Sequence, residues 1–127
     1  MSRSSLPDKV NRYNPLQSVG YALEGIKDNF KREPNISFQF GIGLIAISVS
    51  LYLGYQTYVW LHLAFMSLTI SVEMLNTAFE NLCDLVEPRY SLTVKSIKDG
   101  AAGAVLFAAL SWLVVIFTQL VVIFTPL

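Results

Sequence analysis

The sequence predicts an all-α integral membrane protein, with three transmembrane helices preceded by an amphipathic surface helix. Hydrophobic residues make up 54% of the 127 residues, and the mean hydropathy of +0.51 is above the range of soluble proteins. All nine Lys and Arg lie within residues 3–32 or 89–98, which leaves long stretches without positive charge. A chain of this length fits one domain. We place that domain at residues 16–127, after a loose cytoplasmic tail of residues 1–15.

The surface helix is predicted over residues 16–32, where apolar residues recur at steps of three and four opposite a charged face. This segment is too polar to span a bilayer, so we expect it to lie at the interface with its lysines near anionic head groups. A helix packed on a soluble partner is the alternative. The apolar positions are Leu16, Val19, Leu23, Ile26 and Phe30.

The three spans are predicted over residues 36–54, 58–86 and 99–124. Small residues such as Gly41, Gly43 and Ser50 give the first span a slim profile that favours close helix contact. The second span would be about 43 Å long, whereas the hydrocarbon layer is about 30 Å thick, so its cytoplasmic end should extend beyond that layer. His62 lies near the outer end of this span, and we interpret it as interfacial.

The distribution of positive charge predicts the orientation of the chain. Cytoplasmic segments carry the excess of Lys and Arg, so the N-terminus and the loop at residues 86–98 should both be cytoplasmic. The third span then places the C-terminus outside. The single cysteine, Cys83, excludes a disulfide within the chain.

A polar stripe runs along the second span. Glu73, Asn76, Glu80 and Asp84 fall within a sector of about 80° on one helix face. Carboxylates are expensive in hydrocarbon and are usually functional there, although a polar seam that joins helices is the alternative. Bundling the spans would gather these residues with other polar residues at the cytoplasmic ends of the spans. Those residues are Glu33, Lys98 and Asp99.

Such a polar layer suits chemistry on a nucleotide. Carboxylate oxygens suit Mg²⁺, which typically binds one or two carboxylates together with phosphate oxygens, and lysine binds phosphate as a point charge. The sequence contains no Walker A motif, kinase catalytic loop or zinc-binding spacing. From the residues alone, two functions remain open: a membrane enzyme, and a small oligomeric cation or proton pathway lined by the acids.

Two motifs resemble those of the prokaryotic diacylglycerol kinase family, which includes the undecaprenol kinases. The first is E-M-L-N-T-A-F-E at residues 73–80, followed by Asp84, and the second is K-D-G-A-A-G-A-V-L at residues 98–106. Gly20, Tyr21, Gly25 and Glu33 also match family positions, and the resemblance covers about residues 14–125.

The resemblance implies a homotrimer in the bacterial inner membrane that uses Mg²⁺ and ATP to phosphorylate a lipid alcohol, diacylglycerol or undecaprenol, with no nucleic-acid partner. It implies that Glu73 is the catalytic base and that Glu33 and Glu80 bind the metal. The implied nucleotide-binding residues are Tyr21, Glu33, Glu80, Tyr90, Lys98 and Asp99, and the implied supporting residues are Asn76 and Asp84.

Two positions depart from the family pattern. Ser37 stands where members commonly have arginine, and Asn14 and Gln17 lie in a region that often contains a basic residue. These departures predict altered contacts with the lipid head group or with phosphate.

Overall fold

A computed structural model of the protein describes residues 14–125, which form four helices and no strand. The helices are α1 (Pro15–Arg32), α2 (Pro34–Tyr52), α3 (Gln56–Val86) and α4 (Leu92–Phe124). Within this range, α2, α3 and α4 are long and apolar enough to cross a membrane. The predicted fold class is therefore confirmed. Residues 1–13 of the predicted tail lie outside the described residues.

Helix α1 is a compact unit by itself. Its start is fixed by Asn14, whose Oδ1 accepts a hydrogen bond from the Leu16 amide at 3.1 Å, and by Pro15, which suits the first turn of a helix. Lys31 and Arg32 lie in its last turn, where positive charge interacts favourably with the helix dipole. Asn14, a departure from the family pattern, thus caps α1.

Helices α2, α3 and α4 belong to a second unit, in which α3 packs against both of the others. Met66, Trp112 and Val115 form its buried apolar cluster. Gly43 allows Met66 to approach α2, because a Cβ atom at Gly43 would lie 2.2 Å from Met66 Sδ. Gly41 has no such neighbour within 4 Å. Among the residues that predicted a slim first span, Gly43 therefore has the clearest packing role.

The connections between these helices are short. Gly54, after α2, has φ of 75°, a left-handed conformation that favours glycine. Helix α4 begins at Leu92, earlier than the predicted start of the third span at residue 99, because Ser91 caps it by accepting a hydrogen bond from the Val94 amide at 3.5 Å. The residues from Lys95 to Asp99 are therefore helical.

The interpretation of His62 as interfacial was wrong. The side chain of His62 is fully buried, at 0% exposure, and it makes hydrogen bonds with Trp112 and Gln119 of α4. Partners on another span satisfy both ring nitrogens, which removes the need for contact with water or head groups.

Candidate active site

Glu73 is a buried carboxylate on the α2-facing side of α3. It is 6% exposed, and Asn35 of α2 donates a hydrogen bond from Nδ2 to its Oε1 at 3.2 Å. Its other oxygen, Oε2, is buried and has no hydrogen-bond partner among residues 14–125. Buried polar atoms without a hydrogen-bond partner are rare in folded proteins, and a catalytic role is one of the explanations for such an atom. In Glu73, Oε1 is thus held by Asn35, whereas Oε2 can accept a hydrogen bond from a ligand.

The next polar pair along α3 is Asn76 and Glu80. Asn76 Nδ2 donates to Glu80 Oε1 at 3.1 Å, a contact between residues one turn apart. Glu80 is exposed, whereas Asn76 is half-buried and its Oδ1 atom lacks a partner within the described range. Asn76 therefore orients a carboxylate that remains accessible to a ligand.

A polar cavity of about 300 Å³ lies at the connection between α3 and α4. Lys98 Nζ lies 2.5 Å from Asp84 Oδ1, and Lys95 pairs with Asp99 one turn away. Ion pairs between exposed side chains contribute little to stability, so either lysine can exchange its partner for an anionic ligand at small cost. Tyr90 lines the cavity together with charged residues of both signs, which are Asp84, Glu87, Arg89, Lys95, Lys98 and Asp99.

An apolar groove of about 320 Å³ runs between α2 and α4. Asn35, the partner of Glu73, lines it, as do Gln39 and Thr69. Gln39 Oε1 is a further buried acceptor without a partner among the described residues. A second cavity of about 230 Å³ shares Ile42 and Ile116 with the groove and continues it along α2 and α4. The groove thus has polar side chains at one part of its wall, and one of them, Asn35, is hydrogen-bonded to Glu73.

The structure brings predicted residues together in two places, Asn76 with Glu80 and the cavity lined by Asp84, Tyr90, Lys98 and Asp99. It places Glu73 beside Asn35, which was not predicted. Tyr21 lies on the separate α1 unit, and its role stays a prediction. Sequence reasoning missed Asn35 and Gln39. Their spacing of four residues, which places two amides on one face of an apolar span, was the available signal.

The predicted metal acids are not gathered into a cluster by one chain. Among residues 14–125, no three His, Cys, Asp or Glu side chains are close enough together to hold a metal ion. Mg²⁺ does not require such a cluster, since it commonly takes one or two carboxylates together with water and phosphate oxygens. The exposed Glu80 and half-buried Glu33 carboxylates fit that mode of binding.

Residues 20–121 match the family model described as prokaryotic diacylglycerol kinase. The chain is similar to a diacylglycerol kinase of Synechocystis sp., with 36% identity over 104 residues that cover 80% of this chain and 59% of that protein. It is also similar to an undecaprenol kinase of Bacillus subtilis, with 28% identity over 110 residues that cover 84% of this chain and 87% of that protein. The chain thus spans less than two thirds of the Synechocystis protein and most of the Bacillus subtilis protein.

Proposed function

The chain belongs to the prokaryotic diacylglycerol kinase family, and we propose that it transfers the γ-phosphoryl group of ATP to the hydroxyl group of a membrane lipid alcohol. The acceptor is diacylglycerol or undecaprenol, the two substrate classes in the names of its relatives. The observation that carries the proposal is the free Oε2 of the buried Glu73, because the groove lined by its partner Asn35 can hold the lipid chain.

Glu73 acts as the general base in this proposal. The lipid hydroxyl donates a hydrogen bond to Glu73 Oε2 while Asn35 holds Oε1. Glu73 accepts the proton as the hydroxyl oxygen forms its bond to the γ-phosphorus, and the bond from that phosphorus to the bridging oxygen of ADP breaks. Burial of Glu73 excludes water, which favours transfer to the lipid over hydrolysis of ATP.

The nucleotide occupies the polar cavity between α3 and α4. Lys98 exchanges Asp84 for a phosphate oxygen, and Tyr90 lies at the edge of the cavity, exposed enough to contact the base or the ribose. Asp99 orients Lys95, its partner one turn away. Glu33 and Glu80 would hold Mg²⁺, and the bound ion would neutralise part of the phosphate charge.

The assembly is a homotrimer with a cytoplasmic N-terminus and an external C-terminus. The confinement of Lys and Arg to residues 3–32 and 89–98 supports this orientation in a bacterial inner membrane. The exposure of Glu80 and Asp84 in the single chain supports a polar layer shared between protomers, because a neighbouring copy could complete their surroundings.

A cation or proton pathway is the competing function. A pathway lined by acids needs carboxylates at several depths of the membrane, whereas the sequence has no acid between Glu33 and Glu73 and none after Asp99. The acids therefore stop at one side of the bundle, which favours the kinase.

Purified protein in detergent, incubated with labelled ATP, Mg²⁺ and either diacylglycerol or undecaprenol, tests the proposal. We expect label in at least one lipid and none with the Glu73→Gln variant. Ion flux through reconstituted vesicles without labelled lipid would reject the kinase and support the pathway. Comparing the two lipids in parallel identifies the acceptor.

A further inference from the structure

His62 lies at the centre of a hydrogen-bonded chain that crosses the three-helix unit. Trp112 Nε1 donates to His62 Nδ1 at 3.2 Å, and His62 Nε2 lies 2.6 Å from Gln119 Oε1. Because an indole N–H can only donate, Nδ1 accepts and the ring proton is on Nε2, which donates to Gln119. Gln119 Nε2 in turn donates to Ser50 Oγ at 2.7 Å.

Every link of this chain is satisfied within the apolar spans. Ser50 donates its own hydroxyl hydrogen bond to the Ala46 carbonyl of α2 at 2.7 Å, so the donors run in one direction from Trp112 of α4 to His62 of α3, back to Gln119 of α4 and then to α2. His62, Ser50 and Gln119 are buried, and burial of polar groups is costly unless they are paired. The network therefore has one preferred hydrogen-bond arrangement.

Two members of the network also line the groove. Trp112 lines the part next to Asn35, and Gln119 lines its continuation between α2 and α4. They lie two turns apart on α4, and His62 bonds to both from behind the groove wall without lining either cavity. The buried His62 imidazole thus fixes the positions of the Trp112 indole and the Gln119 amide along the groove.

We propose that His62 is a positioning residue for lipid binding, which acts through Trp112 and Gln119 on the width of the groove. The inference rests on the proposed function, since it assumes that the groove holds the chain of the lipid alcohol. The network sets the position of that chain, and so the position of its hydroxyl group relative to Glu73. The nucleotide cavity is lined by other residues, so His62 acts on the lipid alone.

Kinetics of two variants test this role. His62→Leu removes both hydrogen bonds and should raise the KM for the lipid about tenfold, because small displacements of bound groups are costly, while the KM for ATP stays unchanged. His62→Gln, which retains a donor and an acceptor, should recover part of the loss. Val59→Ala is the matched control: Val59 is buried on the same helix, one turn earlier, and lies outside both network and groove. It should lower stability without changing the KM for the lipid.

A binding measurement separates this inference from the proposed function. The chain has two tryptophans, so Trp60→Phe leaves Trp112 as the single tryptophan, whose fluorescence is excited selectively over that of the tyrosines. Titration of that protein in detergent micelles with undecaprenol or dioleoylglycerol should give a saturable change, with a Kd about tenfold higher when His62→Leu is added. Absence of phosphorylation by the unaltered protein would reject the kinase, and the titration would still decide the role of His62. Equal Kd values with and without His62, no saturable change, or an equal rise in lipid KM in Val59→Ala would overturn the inference.

Discussion

Asn35 at the start of α2 donates a hydrogen bond to Glu73 near the middle of α3, with 3.2 Å between Asn35 Nδ2 and Glu73 Oε1. The two residues are 38 positions apart in the chain, and their hydrogen bond joins α2 to α3 where Asn35 lines the groove. The bond occupies Oε1, and Glu73 Oε2 is left without a hydrogen-bond partner among residues 14–125.

Loss of this bond should affect the chemical step. We expect Asn35→Ala to lower kcat about tenfold, because the carboxylate would no longer be held in one orientation, while the KM for ATP stays the same. Initial rates at saturating lipid and variable ATP measure both quantities. Asn81→Ala, an exposed asparagine on α3, is the control and should behave as the unaltered protein. Equal kcat in Asn35→Ala and the control would contradict the role of Asn35.

Glu73 and Glu80 should have separable roles. Glu73→Gln should lower turnover at least about 10²-fold, as expected for loss of a general base, with nearly unchanged affinity for Mg-ATP. Glu80→Gln should weaken Mg-ATP binding and be partly rescued by raised Mg²⁺. Nucleotide titration and initial rates across a Mg²⁺ series distinguish the two. If Glu73→Gln lost nucleotide binding as severely as Glu80→Gln, the division of roles would have to be abandoned.

Lys98 should bind the nucleotide. Lys98→Met removes the charge that we assign to phosphate, so the KM for ATP should rise at least about tenfold, while the melting temperature changes little because the Lys98–Asp84 pair is exposed. Lys98→Arg should restore part of the affinity. An unchanged KM for ATP in Lys98→Met would place the phosphates elsewhere.

Gly43 should be intolerant of a side chain, in contrast to Gly41. Gly43→Ala places a methyl group 2.2 Å from Met66 Sδ and 3.3 Å from Trp112 Cη2, so we expect a loss of about 1–3 kcal/mol in the free energy of unfolding. Gly41→Ala meets open space and should cause no loss. Denaturant unfolding in detergent, followed by helical circular dichroism, compares the two variants. Equal stability would show that Met66 can move aside without cost.

The orientation can be tested by cysteine labelling. In a Cys83→Ser background, Thr57→Cys at the start of α3 should react with an impermeant reagent on intact cells, because we place this end of α3 outside. Thr93→Cys at the start of α4 should react only after the cells are opened. Both positions are exposed, so they form a matched pair. The reverse pattern would invert the topology.

The sequence predicted the helices well because periodicity and hydropathy are local properties. It placed the start of the third span at residue 99, whereas the helix begins at Leu92, since hydropathy does not register the polar turns that Ser91 caps. His62 was misread for a different reason: Gln119 lies 57 positions away, and only the packing of α3 on α4 brings the two together. The partner of Glu73 was likewise unpredictable from α3 alone. The charged pairs at the α3–α4 connection follow from their helical spacing and the short loop between the helices.

The continuity of α3 has a consequence for how the two substrates meet. Eleven residues separate Glu73 from Asp84 on one unbroken helix, which corresponds to about 16 Å along the axis. Because α3 is one continuous helix, no rearrangement within it can bring Glu73 closer to the cavity that we assign to the nucleotide. In the proposed reaction, the whole nucleotide therefore has to lie along α3 from Asp84 past Glu80, so that its γ-phosphate meets the lipid hydroxyl beside Glu73.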